Sequence, residues 1–233
     1  MSTVAAFYFD LASPLAYLAA ERVLQVLPTP AEWRPVLAGK LKADSADPAE
    51  QYHGARAAKN EMLHGASIGP GPIGPGACAA LRGEVERRAH ELGLQPLRWP
   101  SPFPFDSSMA MRVATYAASI GRAVPFAQAA FRQAFAGGHS LEDPDFVLIA
   151  AAACEMHPQA VLRGAQLDSV AQRLADATDA AAAAGVTDVP AIALGEHVFI
   201  GEDAPERAAA AAAAAAATAA AAATAAAAAA ATT

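Results

Sequence analysis

Segments with strand character occur near both ends of the sequence, and a long stretch with helical patterns separates them. Residues 4–9 and 33–37 are short apolar runs near the start, and residues 191–194 and 197–200 are similar runs near the end. Such runs are typical of buried strands. One sheet interrupted by an insertion explains this order better than two independent domains, so we predict an α/β fold with an all-helical insertion.

The first strand is followed by a helical pattern. Apolar residues recur every three or four positions between Leu15 and Leu27, and the run stops at Pro28. This spacing predicts a helix over residues 14–27. A helix between two strands is the unit of a parallel sheet, so the first two strands are expected to be parallel.

The middle of the chain contains helical patterns and no convincing strand. Helices are predicted over residues 48–64, 78–93, 107–121, 123–136 and 144–154, and a further amphipathic helix over 167–184. The Gly/Pro-rich residues 67–76 are predicted to form a loop, because this composition does not sustain regular structure.

These patterns set the expected domain boundaries. The two parts of the sheet domain are residues 1–38 and 167–207, the helical insertion is 39–166, and an alanine-rich tail follows at 208–233. The tail contains only alanine and threonine. Alanine has the highest helix propensity, so the tail is predicted to be helical.

The charge balance limits the partners of the chain. The net charge is −7, from 16 basic and 23 acidic residues, and no basic run is present. Such a chain lacks the electrostatic footprint of a nucleic-acid-binding protein and would be repelled by anionic membranes. We therefore expect neither nucleic acid nor a membrane as a partner.

The cysteines and histidines indicate neither a disulfide framework nor a metal site. Cys78 and Cys154 are far apart and form no CxxC pair, which fits a reducing compartment. The first residues lack a basic n-region and Asp10 interrupts their apolar run, so no signal peptide is predicted and a cytoplasmic location is expected. The six histidines form no HxxxH pair, and no metal site is predicted.

The informative motif is Ser13-Pro14, placed where the first strand gives way to the first helix. Serine is a favoured N-cap residue, and proline is favoured at the first helical position. The simplest interpretation is therefore a helix cap. Ala16 is neither Glu nor Gln, so no capping box is expected.

A second motif gives the cap a functional alternative. The order strand–Ser-Pro–helix, helical insertion, helix–Gly-Val-x-x-Val-Pro–strand–Gly-x-Asp resembles the DsbA-like branch of the thioredoxin fold that contains 2-hydroxychromene-2-carboxylate isomerases and kappa-class glutathione transferases. The resemblance covers residues 4–42 and about 105–207, whereas residues 43–100 match poorly. It implies a thioredoxin-like fold interrupted by a helical domain, and commonly a homodimer.

The resemblance implies an activity and a catalytic residue. The expected function is a glutathione- or other thiol-dependent isomerase or transferase that acts on a small aromatic electrophile. Ser13 matches the catalytic serine, in the position of the first cysteine of a CxxC, and Ala16 takes the position of the second. Without these cysteines, thiol–disulfide exchange at this site is chemically impossible.

The resemblance also assigns the thiol-binding residues. Val189-Pro190 matches a pair whose proline is cis and whose preceding backbone pairs with the cysteinyl part of glutathione. Gly201, Glu202 and Asp203 fall in the loop that holds the γ-glutamyl end, where the Asp203 carboxylate would pair with the ammonium group. The structural alternatives are an ordinary strand start at Val189 and a helix cap at Asp203.

Substrate binding is assigned to Lys42 and Pro14. Lys42 matches a lysine found after the second strand, although a plain surface charge is the alternative. Two departures from the family pattern favour a different function. An asparagine expected after the lysine would fall near Ala46-Asp47, and Glu202 replaces a small or amide residue.

Two other functions are therefore kept open. One is a redox-inactive thioredoxin-like module that binds a peptide or partner across the cis-proline groove. The other, and the weaker, is a disulfide oxidoreductase that uses Cys78 or Cys154.

Overall fold

The computed structural model describes residues 4–41 and 75–230. The strands are Ala6–Phe9 (β1), Glu32–Pro35 (β2), Ala191–Leu194 (β3) and His197–Ile200 (β4). The helices are Pro14–Ala20 (α1), Val23–Val26 (α2), Ala38–Leu41 (α3), Pro75–Glu91 (α4), Ser108–Ser119 (α5), Ala123–Phe135 (α6), Pro144–Ala152 (α7), Pro158–Gln166 (α8), Asp168–Ala183 (α9) and Ala204–Ala230 (α10).

The four strands form one sheet in the order β2-β1-β3-β4. Strand β1 is parallel to β2 and antiparallel to β3, and β3 is antiparallel to β4. Tyr8 lies opposite Ala191, so the two ends of the chain are joined at the centre of the sheet. The prediction of one sheet interrupted by helices is confirmed.

Strand β1 is buried on both faces because core packs against each side of the sheet. Successive strand side chains point to opposite faces. Phe7 and Phe9 join the larger hydrophobic cluster, while Tyr8 joins the smaller one. The Phe9 ring lies 5.8 Å from that of Phe131 on α6, so the helical region packs directly on the sheet. The loop after β1 therefore lies where sheet and helices meet.

The predicted continuous helix over 14–27 is wrong, because α1 ends at Ala20 and α2 begins at Val23. At the break, the Arg22 N–H donates to the Ala19 carbonyl, and the Arg22 Nε donates to the Leu18 carbonyl at 3.2 Å. The Arg22 Nη2 bonds to Glu202, far along the chain. This tertiary contact outweighs the helical periodicity of the sequence.

Helix α8 was not predicted, and its two unusual residues explain the omission. Pro158 opens the helix at a position where its missing N–H costs nothing. A Cβ atom on Gly164 would lie 2.5 Å from the ring of Tyr116 on α5. Glycine therefore allows α5 and α8 to approach closely, although the same residue reads as a helix breaker in the sequence. The short helix α3 was also not predicted.

Several predictions concern residues outside the described part of the chain. These include the helix over 48–64 and most of the predicted loop at 67–76, whose last two residues belong to α4. The tail is helical within α10, as predicted, and this helix begins at Ala204. The domain boundaries remain a prediction. None of the described helices combines the length and the apolar character that a membrane span requires.

Candidate functional site

Ser13 ends a tight turn between β1 and α1. Its N–H donates to the Asp10 carbonyl at 3.0 Å, and its Oγ accepts from the Ala16 N–H at 3.2 Å. Pro14 follows at the first helical position and is buried. The predicted cap is confirmed, and Ser13 is 1% exposed.

The Val189-Pro190 peptide bond is cis, as predicted. Tyr8 pairs with Ala191, so Pro190 falls beside the end of β1, where the chain turns toward Ser13. The Pro190 carbonyl accepts from the Gly201 N–H at 2.9 Å. The structure thus brings the cis-proline segment, the start of the Gly201 loop and the end of β1 to one edge of the sheet.

Gly201 suits its position for a backbone reason. Its φ of 113° lies in a region that side-chain-bearing residues rarely adopt, so glycine is favoured there. This conformation turns the chain from β4 into α10 immediately beside Pro190.

Glu202 is held by two arginines. Its Oε2 lies 3.1 Å from the Arg22 Nη2, and its Oε1 lies 2.6 Å from the Arg88 Nε on α4. The Arg22 guanidinium also donates to the Glu202 carbonyl. The negative charge of Glu202 is therefore compensated by the protein itself, and the residue ties the loop to the α1–α2 junction and to α4.

Asp203 immediately precedes α10, as expected if it is a helix cap. Its carbonyl accepts from the Arg207 N–H at 3.1 Å, and its Oδ1 lies 3.5 Å from the Arg207 Nε. The Asp203 side chain is 36% exposed. A carboxylate with this exposure remains accessible to a ligand ammonium group.

Lys42 lies outside the described residues, so its proposed role in substrate binding stays a prediction. Lys40, two positions earlier on α3, is exposed at the rim of a cavity of about 310 Å³. The lining of this cavity includes Asp10, Leu37, Lys40, Phe105, Asp106 and Ser107.

Asp10 is the site residue that sequence reasoning missed. It is 1% exposed, and its carboxylate accepts three hydrogen bonds. Oδ1 accepts from the Ala12 N–H at 3.0 Å and from the Ser107 Oγ at 2.8 Å, and Oδ2 accepts from the Ala38 N–H at 3.1 Å. Burial raises the pKa of Asp10, although the three donors act in the opposite direction. The sequence signal for this residue is that Asp10 is a single carboxylate within an apolar run.

Ser107 shows how closely the helical region is joined to this turn. It occupies the N-cap position of α5 but makes no side-chain capping bond, because its hydroxyl donates to Asp10 instead. Asp106 takes over the capping role by accepting from the Ser108 N–H at 2.9 Å. The bonds from Ser108 lower the pKa of Asp106.

Cys154 does not have the properties of a redox cysteine. It is 5% exposed, its Sγ donates to the Ala150 carbonyl at 3.3 Å, and burial raises the pKa of its thiol. Reactive cysteines instead have a lowered pKa and an accessible sulfur. The Cys78 side chain lies outside the described residues. Among the residues that the structure describes, no group of His, Cys, Asp and Glu could hold a metal ion.

Comparisons with known proteins agree with this architecture. A solved structure of 2-hydroxychromene-2-carboxylate isomerase superimposes with a TM-score of 0.67 at 19% identity, covering 86% of this chain and 89% of that one. A probable DsbA oxidoreductase from Streptomyces coelicolor superimposes with a TM-score of 0.63 at 18% identity, covering 88% and 86%. No curated protein matches the chain significantly. At these identities the solved structures show a shared thioredoxin-like fold.

The family assignment rests on the sequence match. Residues 4–213 match the family described as the DSBA-like thioredoxin domain, which is most of the chain. The chain therefore belongs to the DSBA-like thioredoxin domain family.

Proposed function

We propose that the protein is a thiol-dependent isomerase or transferase that acts on a small aromatic electrophile, with glutathione or another low-molecular-weight thiol as its cofactor. The supporting observation is that the Ser13 hydroxyl lies at the start of α1, at the same end of the sheet as the cis Val189-Pro190 bond. Ser13 and Ala16 stand in the positions of the two cysteines of a CxxC motif. The site therefore retains a hydroxyl donor but has no thiol of its own.

The role of Ser13 follows from the acidity of thiols. A free thiol has a pKa of about 8.5, so only a few per cent is thiolate at neutral pH. Lowering this pKa by ~2 requires about 2.7 kcal/mol. Helix α1 has only 7 residues, so its dipole contributes little, and a hydrogen bond from Ser13 to the charged sulfur, worth ~1.5–3 kcal/mol, must supply most of it.

The cap bond of Ser13 is compatible with this role. A hydroxyl has one donor and two acceptor positions. The Ser13 Oγ uses one acceptor position for the Ala16 N–H, which orients the oxygen and leaves its proton available for a thiolate. Because Ser13 is 1% exposed, an arriving ligand must displace the atoms that cover it.

The chemistry needs no redox step. The thiol gives its proton to solvent, and the thiolate forms a C–S bond to an activated double bond of the electrophile. Rotation about the resulting single bond and cleavage of the C–S bond give an isomer and regenerate the thiolate. If the C–S bond is kept and carbon takes up a proton, the product is a thioether, which is transfer. Ser13 acts as a donor throughout.

The proposal is tested by titrating glutathione with the protein and following thiolate absorbance against pH. We expect the thiol pKa to fall on binding to the wild type, and Ser13→Ala to abolish this fall. Ser119→Ala, at an exposed position on α5, is the matched control and should behave as the wild type. An unchanged thiol pKa, or no binding at millimolar thiol, would contradict the proposal. Circular dichroism checks the fold of Ser13→Ala, which also loses a cap worth ~1 kcal/mol.

A second candidate is a redox-inactive module that binds a peptide or partner across the cis-proline segment. Two observations favour it. Ser13 is 1% exposed and already serves as a helix cap, and Glu202 is already paired with Arg22. Turnover that Ser13→Ala abolishes, with the fold retained, would exclude this candidate.

A further inference from the structure

The Asp10 carboxylate joins three separate segments. It accepts from Ala12 in the turn that leads to Ser13, from Ala38 at the start of α3, and from Ser107 at the start of α5. The turn, the end of the β2 segment and the helical region therefore meet at one buried group. The orientation of the Ser13-bearing turn depends on this group.

Asp10 is also close to the proposed thiol position. The Ser13 N–H donates to the Asp10 carbonyl at 3.0 Å, so the two residues are the ends of a β-turn with Cα atoms within ~7 Å. Both residues are 1% exposed, so salt and water screen a charge there only weakly. At an effective dielectric constant of ~20, a charge ~10 Å from a sulfur changes the acidity of its thiol by about tenfold.

Building on the proposed function, we propose that Asp10 is a positioning residue that fixes the Ser13 turn and whose negative charge opposes ionisation of a thiol bound there. Ser13 and Asp10 then act in opposite directions on the same sulfur. A thiolate that is stabilised too strongly is a weaker nucleophile. Asp10 thus limits how far Ser13 can lower the reactivity of the bound thiol.

Other charges face Asp10 from the surrounding elements. Lys40 on α3 and Asp106 ahead of α5 line the same cavity as Asp10. Burial raises the pKa of Asp10, and the like charge of Asp106 raises it further. Because Asp10 and the bound thiol interact, their titrations are coupled, and each must raise the pKa of the other by the same amount.

The test measures the pKa of bound glutathione in three variants and the wild type. Asp10→Asn removes the charge, keeps the shape and turns one accepting oxygen into a donor, so we expect the bound thiol to become about tenfold more acidic. Ser107→Ala keeps the charge and removes one hydrogen bond, so the thiol acidity should stay within about twofold of the wild type. Asp145→Asn, on the exposed start of α7, is the matched charge control and should leave it unchanged.

A measurement on the wild type covers the case in which Asp10→Asn does not fold. The carboxyl signal of Asp10 is followed by NMR against pH with glutathione and with S-methylglutathione, which has no ionisable thiol. A change in the Asp10 signal over the pH range in which the glutathione thiol ionises, absent with S-methylglutathione, supports the inference, and identical titration curves with the two ligands overturn it. Equal thiol acidity in wild type and Asp10→Asn, or an equally large change in Ser107→Ala, also overturns it and leaves the proposed function standing. If the wild type binds no thiol, the proposed function and this inference both fail.

Discussion

The two sides of the candidate site are held in place by different forces. On one side, the turn from Asp10 to Ser13 is buried, and neutral donors bond to a single carboxylate. On the other side, the loop at Glu202 is fixed by ion pairs with Arg22 and Arg88, whose side chains are 10% and 32% exposed. The turn belongs to the core, whereas the loop is attached to the core by charges near the surface.

This difference indicates which side of the site is rigid and which side can move. Leaving a buried donor without its acceptor costs ~1–3 kcal/mol for each group, so the turn resists any change that separates Asp10 from its partners. The partly exposed pair between Arg88 and Glu202 contributes ~0–1 kcal/mol and weakens with salt, whereas the pair with the more buried Arg22 contributes more. We therefore expect the loop, and not the turn, to move when a ligand enters.

The largest expected effect comes from removing the acceptor on the turn side. Asp10→Ala leaves the Ala12 and Ala38 N–H groups and the Ser107 hydroxyl without their partner, and should lower the free energy of unfolding by ~3 kcal/mol or more. Urea denaturation measures this loss, with Asp179→Ala at an exposed position on α9 as the control. A loss below ~1 kcal/mol would show that the turn is not held by this carboxylate.

A smaller effect is expected on the loop side from its more buried arginine. Arg22 bonds to the Glu202 carboxylate and lies 3.1 Å from Glu206, with its side chain 10% exposed. Arg22→Ala should cost ~2 kcal/mol in thermal or urea unfolding, because it leaves partly buried carboxylates without a countercharge. If Arg22→Ala were as costly as Asp10→Ala, the contrast between the two sides would be wrong.

The pH dependence of stability separates the two sides further. Burial raises the pKa of Asp10 in the folded state above its unfolded value of ~3.9. Between the unfolded and the folded pKa of Asp10, the native state binds more protons than the unfolded state. The contribution of Asp10 to stability is therefore lost as pH rises through its folded pKa. Unfolding curves from pH 4 upward should therefore fall less steeply with pH for Asp10→Asn than for the wild type. Parallel pH profiles would contradict this.

The smallest expected effect comes from removing the salt-sensitive ion pair between Arg88 and Glu202. Arg88→Ala should cost ~0.5 kcal/mol at low salt and nearly nothing at 1 M sodium chloride, because Arg88 is partly exposed. The measurement compares unfolding midpoints of wild type and variant at both salt concentrations. Asp10→Ala is the internal reference, since its cost should hardly depend on salt. A salt-independent cost for Arg88→Ala would indicate a buried pair.

Local features of the site could be predicted from the sequence, but its long-range partners could not. The Ser13 cap follows from the Ser-Pro motif, the cis bond at Pro190 is implied by the family resemblance, and both are present in the structure. Asp10 meets Ser107 across 97 positions, and Arg22 meets Glu202 across 180. Nothing in the local pattern links such positions, because the pairing is decided by how the helical region packs on the sheet.

The same reason explains the errors in the fold. The break between α1 and α2 coincides with the long-range contact of Arg22. Gly164 in α8 leaves room for the Tyr116 ring of α5. Periodicity reports which face of an element is apolar, but it does not report which element will cover that face.

A crystal structure of the protein with bound glutathione tests the central claim most directly. We expect the glutathione sulfur within ~3.5 Å of the Ser13 Oγ, the cysteinyl backbone paired with Val189, and the γ-glutamyl ammonium at Asp203. The Glu202 loop should shift while the Asp10 hydrogen bonds are kept. Glutathione bound elsewhere, or Ser13 still covered in the complex, would contradict the claim that this hydroxyl stabilises a bound thiolate.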